Sequence, residues 1–317
     1  MVDANPAELL SGALSVVLGG ATIANLVRLS GGASRETWKF AADSTPLILQ
    51  RQRAGDDRDM AAEFSVLRAA HVAGVPVPEV LAASTADSPL GASYMVLSHV
   101  EGETIARKIL RDDTFAVARA NLTADLAHAL ARVHSIASSD VPLLQPIDQV
   151  QRYREVLDTL GHAHPTFELA FRWLEHHHPA PGRSCVVHGD FRLGNIMVDA
   201  NGLRAVLDWE LAHIGDPMED LGWLCVKAWR FGSAKPVAGV GDYAHLFDAY
   251  AAASGTTVDP DVVRWWEVLG TLKWGIICIM QAQAHISGIS RSHELAAIGR
   301  RVCENEYDIF LALRGRW

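Results

Sequence analysis

Between Val186 and Leu224 the chain reads VVHGDFRLGNIMVDANGLRAVLDWELAHIGDPMEDLGWL, and no other segment constrains the fold as much. An apolar, strand-like run leads into a loop too short and too broken by Gly189 and Gly194 to be helical. Asp190 and Asn195 stand five apart in that loop. IMVD and AVLD, separated by the turn sequence ANGL, then form a hairpin that returns Asp208 beside it. Three oxygen-bearing side chains thereby converge. Such a grouping suits phosphoryl transfer, which needs a positioned hydroxyl nucleophile, hard ligands for a divalent ion and neutralised phosphate charge. On this reading Asp190 takes or orients the acceptor's hydroxyl proton, and Asn195 and Asp208 hold Mg²⁺ against the phosphates of a nucleotide.

The remaining pattern divides the chain in two. From Ala21 to about Val100 it is strand-like: TIANLVRLS, RETWKFAA, LILQRQ and SYMVLSHVEG, interrupted by helical spacing over Asp56 to Ala73 with Met60, Phe64, Leu67 and Ala70 or His71 on one face. Pro76 and Pro78 hold VPVPEVL extended. Beyond Glu101 come alanine- and leucine-rich helices over Phe115 to Ser135, Val150 to Leu160 and Phe167 to His177. Val262 to His285 reads as a buried helix, because Arg264, Glu267, Lys273 and Gln281 interrupt it too often for a membrane span. The expected fold is α+β and bilobal: an antiparallel β-rich lobe over residues 1–100, a hinge near 98–102, and a mainly helical lobe over 101–317.

Composition excludes several classes. With 49% hydrophobic and 21% charged residues the 317-residue chain folds rather than staying disordered. A net charge of −9 excludes a non-specific nucleic-acid binder, which needs a basic patch to displace counterions. Cys185, Cys225, Cys278 and Cys303 form no CxxC pair, so neither a zinc site nor a disulfide framework is expected. The amino terminus lacks a basic stretch before an apolar one, and a cytoplasmic location is expected.

HGDFRLGN is an instance of the H-x-D-x-x-x-x-N catalytic loop, and LDWE stands where protein kinases carry D-F-G. With Gly189 and the following GDPMEDL, the chain resembles the aminoglycoside phosphotransferase and choline kinase superfamily. With LSGGASRETW at the front it is similar to the kinase-like domain of acyl-CoA dehydrogenase fusion proteins. The resemblance runs from about Leu26 to Trp229. It implies a protein-kinase-like fold that uses ATP and Mg²⁺ to phosphorylate a hydroxyl of a small molecule, with no nucleic-acid or membrane partner.

The resemblance also implies roles. His188 and Arg192 join Asp190 in the catalytic loop. Gly31, Gly32, Ala33, Ser34 and Arg35 form a glycine turn over the phosphates, where the absence of a side chain lets backbone amides approach. Glu63 is the helix carboxylate that pairs with a strand cation. The third strand has no lysine, and alternation sets Arg51 on the same face as Leu47 and Leu49, so Arg51 is taken as that cation. Ser98 and Val100 lie at the hinge, whose backbone pairs with adenine. Asp216 and Asp220 brace the catalytic loop. Two readings stay open for each of the others: Glu210 and Arg192 meet metal or phosphate or form a local ion pair, and Trp229 and Arg230 approach the acceptor pocket or pack in the core. His162, His164 and His176 to His178 read as a solvated surface rather than a metal site, since adjacent side chains do not converge on one ion. Two alternatives stay open: a nucleotide-binding module with weak catalysis, and an antibiotic-resistance kinase. Acceptor identity and oligomeric state are not written in the pattern.

Overall fold

The fold is seen in a computed structural model that describes residues 6–29, 35–53, 60–85 and 88–316. The first lobe runs α1 (Pro6–Val17), β1 (Ile23–Arg28), β2 (Arg35–Ala42), β3 (Thr45–Gln52), α2 (Met60–Val72), β4 (Val80–Ser84) and β5 (Tyr94–Ser98). Its five strands form one antiparallel sheet in the order β1-β2-β3-β5-β4. Asp43 and Ser44, with φ of 46° and 73°, close the two-residue β2–β3 turn in the left-handed geometry that matches strand twist. β4 follows the two prolines and sits at an edge, where missing backbone donors do least harm.

The sheet has two unlike faces. On the outer one, Phe40, Leu47, Leu49 and Val96 pack with Leu10 and Leu14 of α1. The sequence pattern gave no sign that α1 would cover this face. On the inner one, Met95 and Leu97 join Val66, Leu67 and Ala70 of α2 in a core that continues into the second lobe.

That lobe comprises α3 (Ala106–Arg111), α4 (Ala116–Val133), α5 (Gln149–Leu160), α6 (Pro165–His176), β6 (Cys185–Val187), β7 (Ile196–Val198), β8 (Leu203–Val206), β9 (His213–Gly215), α7 (Pro217–Cys225), α8 (Tyr243–Ser254), α9 (Pro260–Ile286), α10 (His293–Gly299) and α11 (Val302–Leu313). Asp148, Asp216, Asp242 and Asp259 each accept a backbone N–H at the start of a helix, so the sequence marks where α5, α7, α8 and α9 begin. β7 and β8 form the hairpin read from IMVD and AVLD. β6 pairs with β9, a three-residue ladder too short to announce itself in sequence. No helix among the described residues is long and apolar enough to cross a membrane.

Candidate active site

The catalytic-loop segment leaves β6 at Val187, and its first turn is held from behind. Asp220, one turn into α7, accepts the backbone N–H groups of His188 (2.7 Å) and Gly189 (2.9 Å). Gly189 has φ +76°, and a Cβ there would collide with the Leu211 carbonyl, so only glycine fits. Burial alone would raise the Asp220 carboxyl. The hydrogen bond and charge of His134, with the bonds from the loop, instead hold it below its ordinary value. His134 is itself fixed by Tyr250, whose hydroxyl lies 2.8 Å from Nδ1.

His188 does not face the cleft, which corrects its expected catalytic role. It is fully buried, its Nε2–H donates to the Leu207 carbonyl at 3.0 Å and its Nδ1 accepts the Asp190 N–H at 3.2 Å. Burial depresses its pKa and keeps the ring neutral. The imidazole therefore ties the loop to the end of β8 and cannot meet a substrate.

Asp190 is partly exposed and its two oxygens have different neighbours. Oδ1 accepts from Trp223 Nε1 (2.8 Å) and Arg192 Nε (3.0 Å); Oδ2 accepts from Asn195 Nδ2 (2.5 Å). Asn195 Nδ2 also reaches the Asp190 carbonyl at 3.1 Å, and the Asn195 carbonyl accepts the Leu207 N–H at 2.8 Å. That last bond ties the β7–β8 hairpin to the loop and brings Asp208 beside it.

Asp208 sits in the left-handed region at φ 65°, which an aspartate tolerates better than most residues. Burial, then the charges of Glu210 and Asp190, push its carboxyl up to about 7, against the pull of Arg35. A carboxylate so crowded by negative charge suits a divalent cation. Among the described residues no three His, Cys, Asp or Glu side chains cluster tightly enough to hold an ion alone. Asp208 and the Asn195 amide oxygen are hard oxygen donors of the kind that could hold a divalent ion shared with ligand phosphates.

The cation opposite Glu63 is not Arg51. Alternation does align Arg51 with Leu47 and Leu49, but that is the outer face, away from the cleft. There Arg51 pairs with Glu36 (2.8 Å) and donates to the Leu90 carbonyl. Arg35, the first residue of β2, takes the inner position. Its guanidinium bonds Glu63 at 2.6 Å, Gln50 Oε1 at 3.1 Å and, across the cleft, Glu210 at 3.1 Å. Gly31, Gly32, Ala33 and Ser34 lie outside the described residues. At the hinge the Ser98 N–H already bonds Glu79 O and the His99 N–H bonds Pro46 O. The Ser98 amide is thus taken by the sheet, and Val100 makes no hydrogen bond among the described residues.

Beyond the loop, Trp229 is buried between Trp223 and Trp274, at ring separations of 5.1 and 4.7 Å, beneath the Arg192 guanidinium at 4.7 Å. Of its two expected places Trp229 thus takes the packed one. Arg230 is largely buried too, bonding Glu267 (2.7 Å), the Cys225 carbonyl and the Tyr243 hydroxyl. It nevertheless lines a groove of about 920 Å³ with Arg107, Lys227, Arg301, Glu304 and Asp308. Both carboxylates are paired, Glu304 with Arg301 and Asp308 with Lys227. Sequence reasoning missed Arg107, Lys227 and Arg301 because three separate segments supply them. Trp223 stands three residues after Asp220 on one face of α7.

A model described as the phosphotransferase enzyme family matches residues 25–266. Acyl-CoA dehydrogenase family member 11 of Rattus norvegicus is 26% identical over 267 residues, covering 77% of this chain and 34% of its own length. The chain spans between 21% and 34% of the acyl-CoA dehydrogenase relatives it matches. Among solved structures, a candidate aminoglycoside phosphotransferase from Ralstonia eutropha superposes with a TM-score of 0.77 at 20% identity, covering 97% of this chain and 98% of its own. Spectinomycin phosphotransferase, solved with ADP and spectinomycin, gives 0.69 at 13% identity over 98% of this chain and 99% of its own. The fold is therefore the protein-kinase-like one of these enzymes.

Proposed function

Since this chain belongs to the phosphotransferase enzyme family, we propose that it moves the γ-phosphate of ATP to a hydroxyl of a small molecule. The observation that carries the reading is the convergence of Asp190, Asn195 and Asp208 on one cleft wall, facing a cation, Arg35, on the other. In the proposed step the acceptor oxygen forms a bond to Pγ while the bond from Pγ to the β,γ-bridging oxygen breaks. The hydroxyl proton passes to Asp190 and ADP leaves. When bound, Mg²⁺ neutralises charge on the phosphates, and Asn195 and Asp208 are the residues that would hold it. Arg35, anchored by Glu63, grips phosphate oxygens with a planar fork suited to them. It stands in for the lysine that β3 lacks. Val100 offers a backbone donor for the adenine. A cytoplasmic setting, where ATP and Mg²⁺ are plentiful, completes the proposal.

The groove beside the catalytic loop favours an alcohol that also carries a negative group. Its carboxylates are already matched by cations, while Arg107 is exposed and pairs with no described residue. A polycationic aminoglycoside would need the reverse. The test is phosphate transfer from ATP·Mg²⁺ to a panel of hydroxy acids, amino alcohols and aminoglycosides. Phosphorylation of hydroxy acids is expected; transfer confined to aminoglycosides would replace this acceptor class with an antibiotic.

A further inference from the structure

Resting on that reading, we infer that Trp223 is a positioning residue for Asp190 and that Lys273 keeps Trp223 and the catalytic loop in register. A carboxylate oxygen offers two in-plane acceptor sites. Both sites of Asp190 Oδ1 are filled, by Trp223 Nε1 at 2.8 Å and Arg192 Nε at 3.0 Å, whereas Oδ2 receives Asn195 alone. Oδ2 is therefore the oxygen left to meet an acceptor hydroxyl, and the two donors on Oδ1 set its direction.

Arg192 is partly exposed and anchored chiefly by stacking, but Trp223 has no freedom to move. One side of its ring meets Trp229. α9 presses on it as well: a Cβ on Gly270 would lie 3.1 Å from Trp223 Cε3 and 2.7 Å from Val226, so the helices approach this closely only because residue 270 is glycine. One turn along α9, Lys273 sets its ammonium 4.4 Å from the Trp223 ring centroid and donates to the Gly189 carbonyl at 2.8 Å.

A lysine at 4% exposure is costly unless it is well paired. Glu219 at 3.9 Å supplies the countercharge, while the hydrogen bond and the ring contact both go to the machinery around Asp190. The loop is thus gripped at three points: its amides by Asp220, its carbonyl by Lys273, and its carboxylate by Trp223. Asp220 and Trp223 stand three apart on α7, so one helix face sets both the backbone and the side chain of the base.

Trp223→Phe keeps an aromatic ring and removes the donor. Release of ADP from ATP·Mg²⁺, with water in the acceptor's place, should fall about 10- to 100-fold in kcat, the usual scale for a base displaced by about an ångström. KM for ATP should stay within about twofold, a split that general destabilisation would not give. Independently of turnover, the indole ¹⁵N–¹H resonance of Trp223, assigned by its loss in Trp223→Phe, should move in Asp190→Ala and in Lys273→Met. A resonance unmoved by Asp190→Ala overturns the inference whatever the activity, as does an unchanged kcat in Trp223→Phe. A resonance that moves in Asp190→Ala, while the wild-type chain turns over no ATP with any acceptor, overturns the phosphotransferase reading but leaves the Trp223–Asp190 link standing.

Discussion

On the large-lobe wall of the cleft, Asp190 is held by Trp223, Arg192 and Asn195, all from its own lobe, and the loop beneath it is bonded to Asp220 and Lys273. Across the cleft, Arg35 divides its guanidinium between Glu63 of its own lobe and Glu210 of the other. The first arrangement is complete without a ligand. The second contains a bond that an incoming phosphate can replace. The difference teaches how the labour is divided: one wall fixes the base in advance, and the other trades the bond to Glu210 for the nucleotide.

Three substitutions and one titration probe that contrast. Asp190→Ala removes the base from the fixed wall and should lower turnover by about 10²- to 10⁴-fold, measured as ADP release, with ATP affinity retained. Asp220→Ala leaves the His188 and Gly189 amides and His134 without their buried partner. Chemical denaturation should show a loss of about 3–5 kcal/mol, because several buried donors lose their acceptor at about 1–3 kcal/mol each. Arg35→Lys keeps the charge but cannot span Glu63 and Glu210. Calorimetry should report ATP binding weakened about tenfold with the melting temperature little changed; a large loss of stability instead would put Arg35 among the fixed parts.

The smallest effect concerns Asp208. Its folded pKa of about 7 lies above the unfolded value of 3.8, so the folded state holds a proton that the unfolded state has released between those values. The Asp208 contribution to stability therefore declines as pH rises through that window when no metal is bound. The same carboxylate must be ionised to hold a cation, so Mg²⁺ affinity should be about threefold weaker at pH 6.5 than at pH 7.5. A flat profile would show that the carboxylate is already ionised throughout.

How much of this was readable in the sequence depended on distance along the chain. Asp190, Asn195 and Asp208 lie within nineteen residues of one another, and a loop plus a hairpin suffices to gather them. Arg51 was misassigned because alternation separates two faces without saying which one a later or earlier element will cover. α1 covers the face of Leu47 and Leu49, which sends Arg51 outward and leaves the opposite parity, that of Gln50 and Arg35, to the cleft. Ser98 was placed at the hinge by its position, but its amide was already required by Glu79. Trp223, Lys273 and the groove cations depend on how α3, α7, α9 and α11 pack together, a tertiary fact that no local periodicity records. The lysine midway along an otherwise buried helix was the one visible hint.

The most direct test is the anomalous signal of Mn²⁺ in crystals grown with a non-hydrolysable ATP analogue. The account predicts an ion at coordination distance, about 2.2 Å, from the Asn195 amide oxygen and the Asp208 carboxylate, with the Arg35 guanidinium turned from Glu210 to the phosphates. A nucleotide bound with its metal away from Asp208, or with Arg35 still bridged to Glu210, would contradict it.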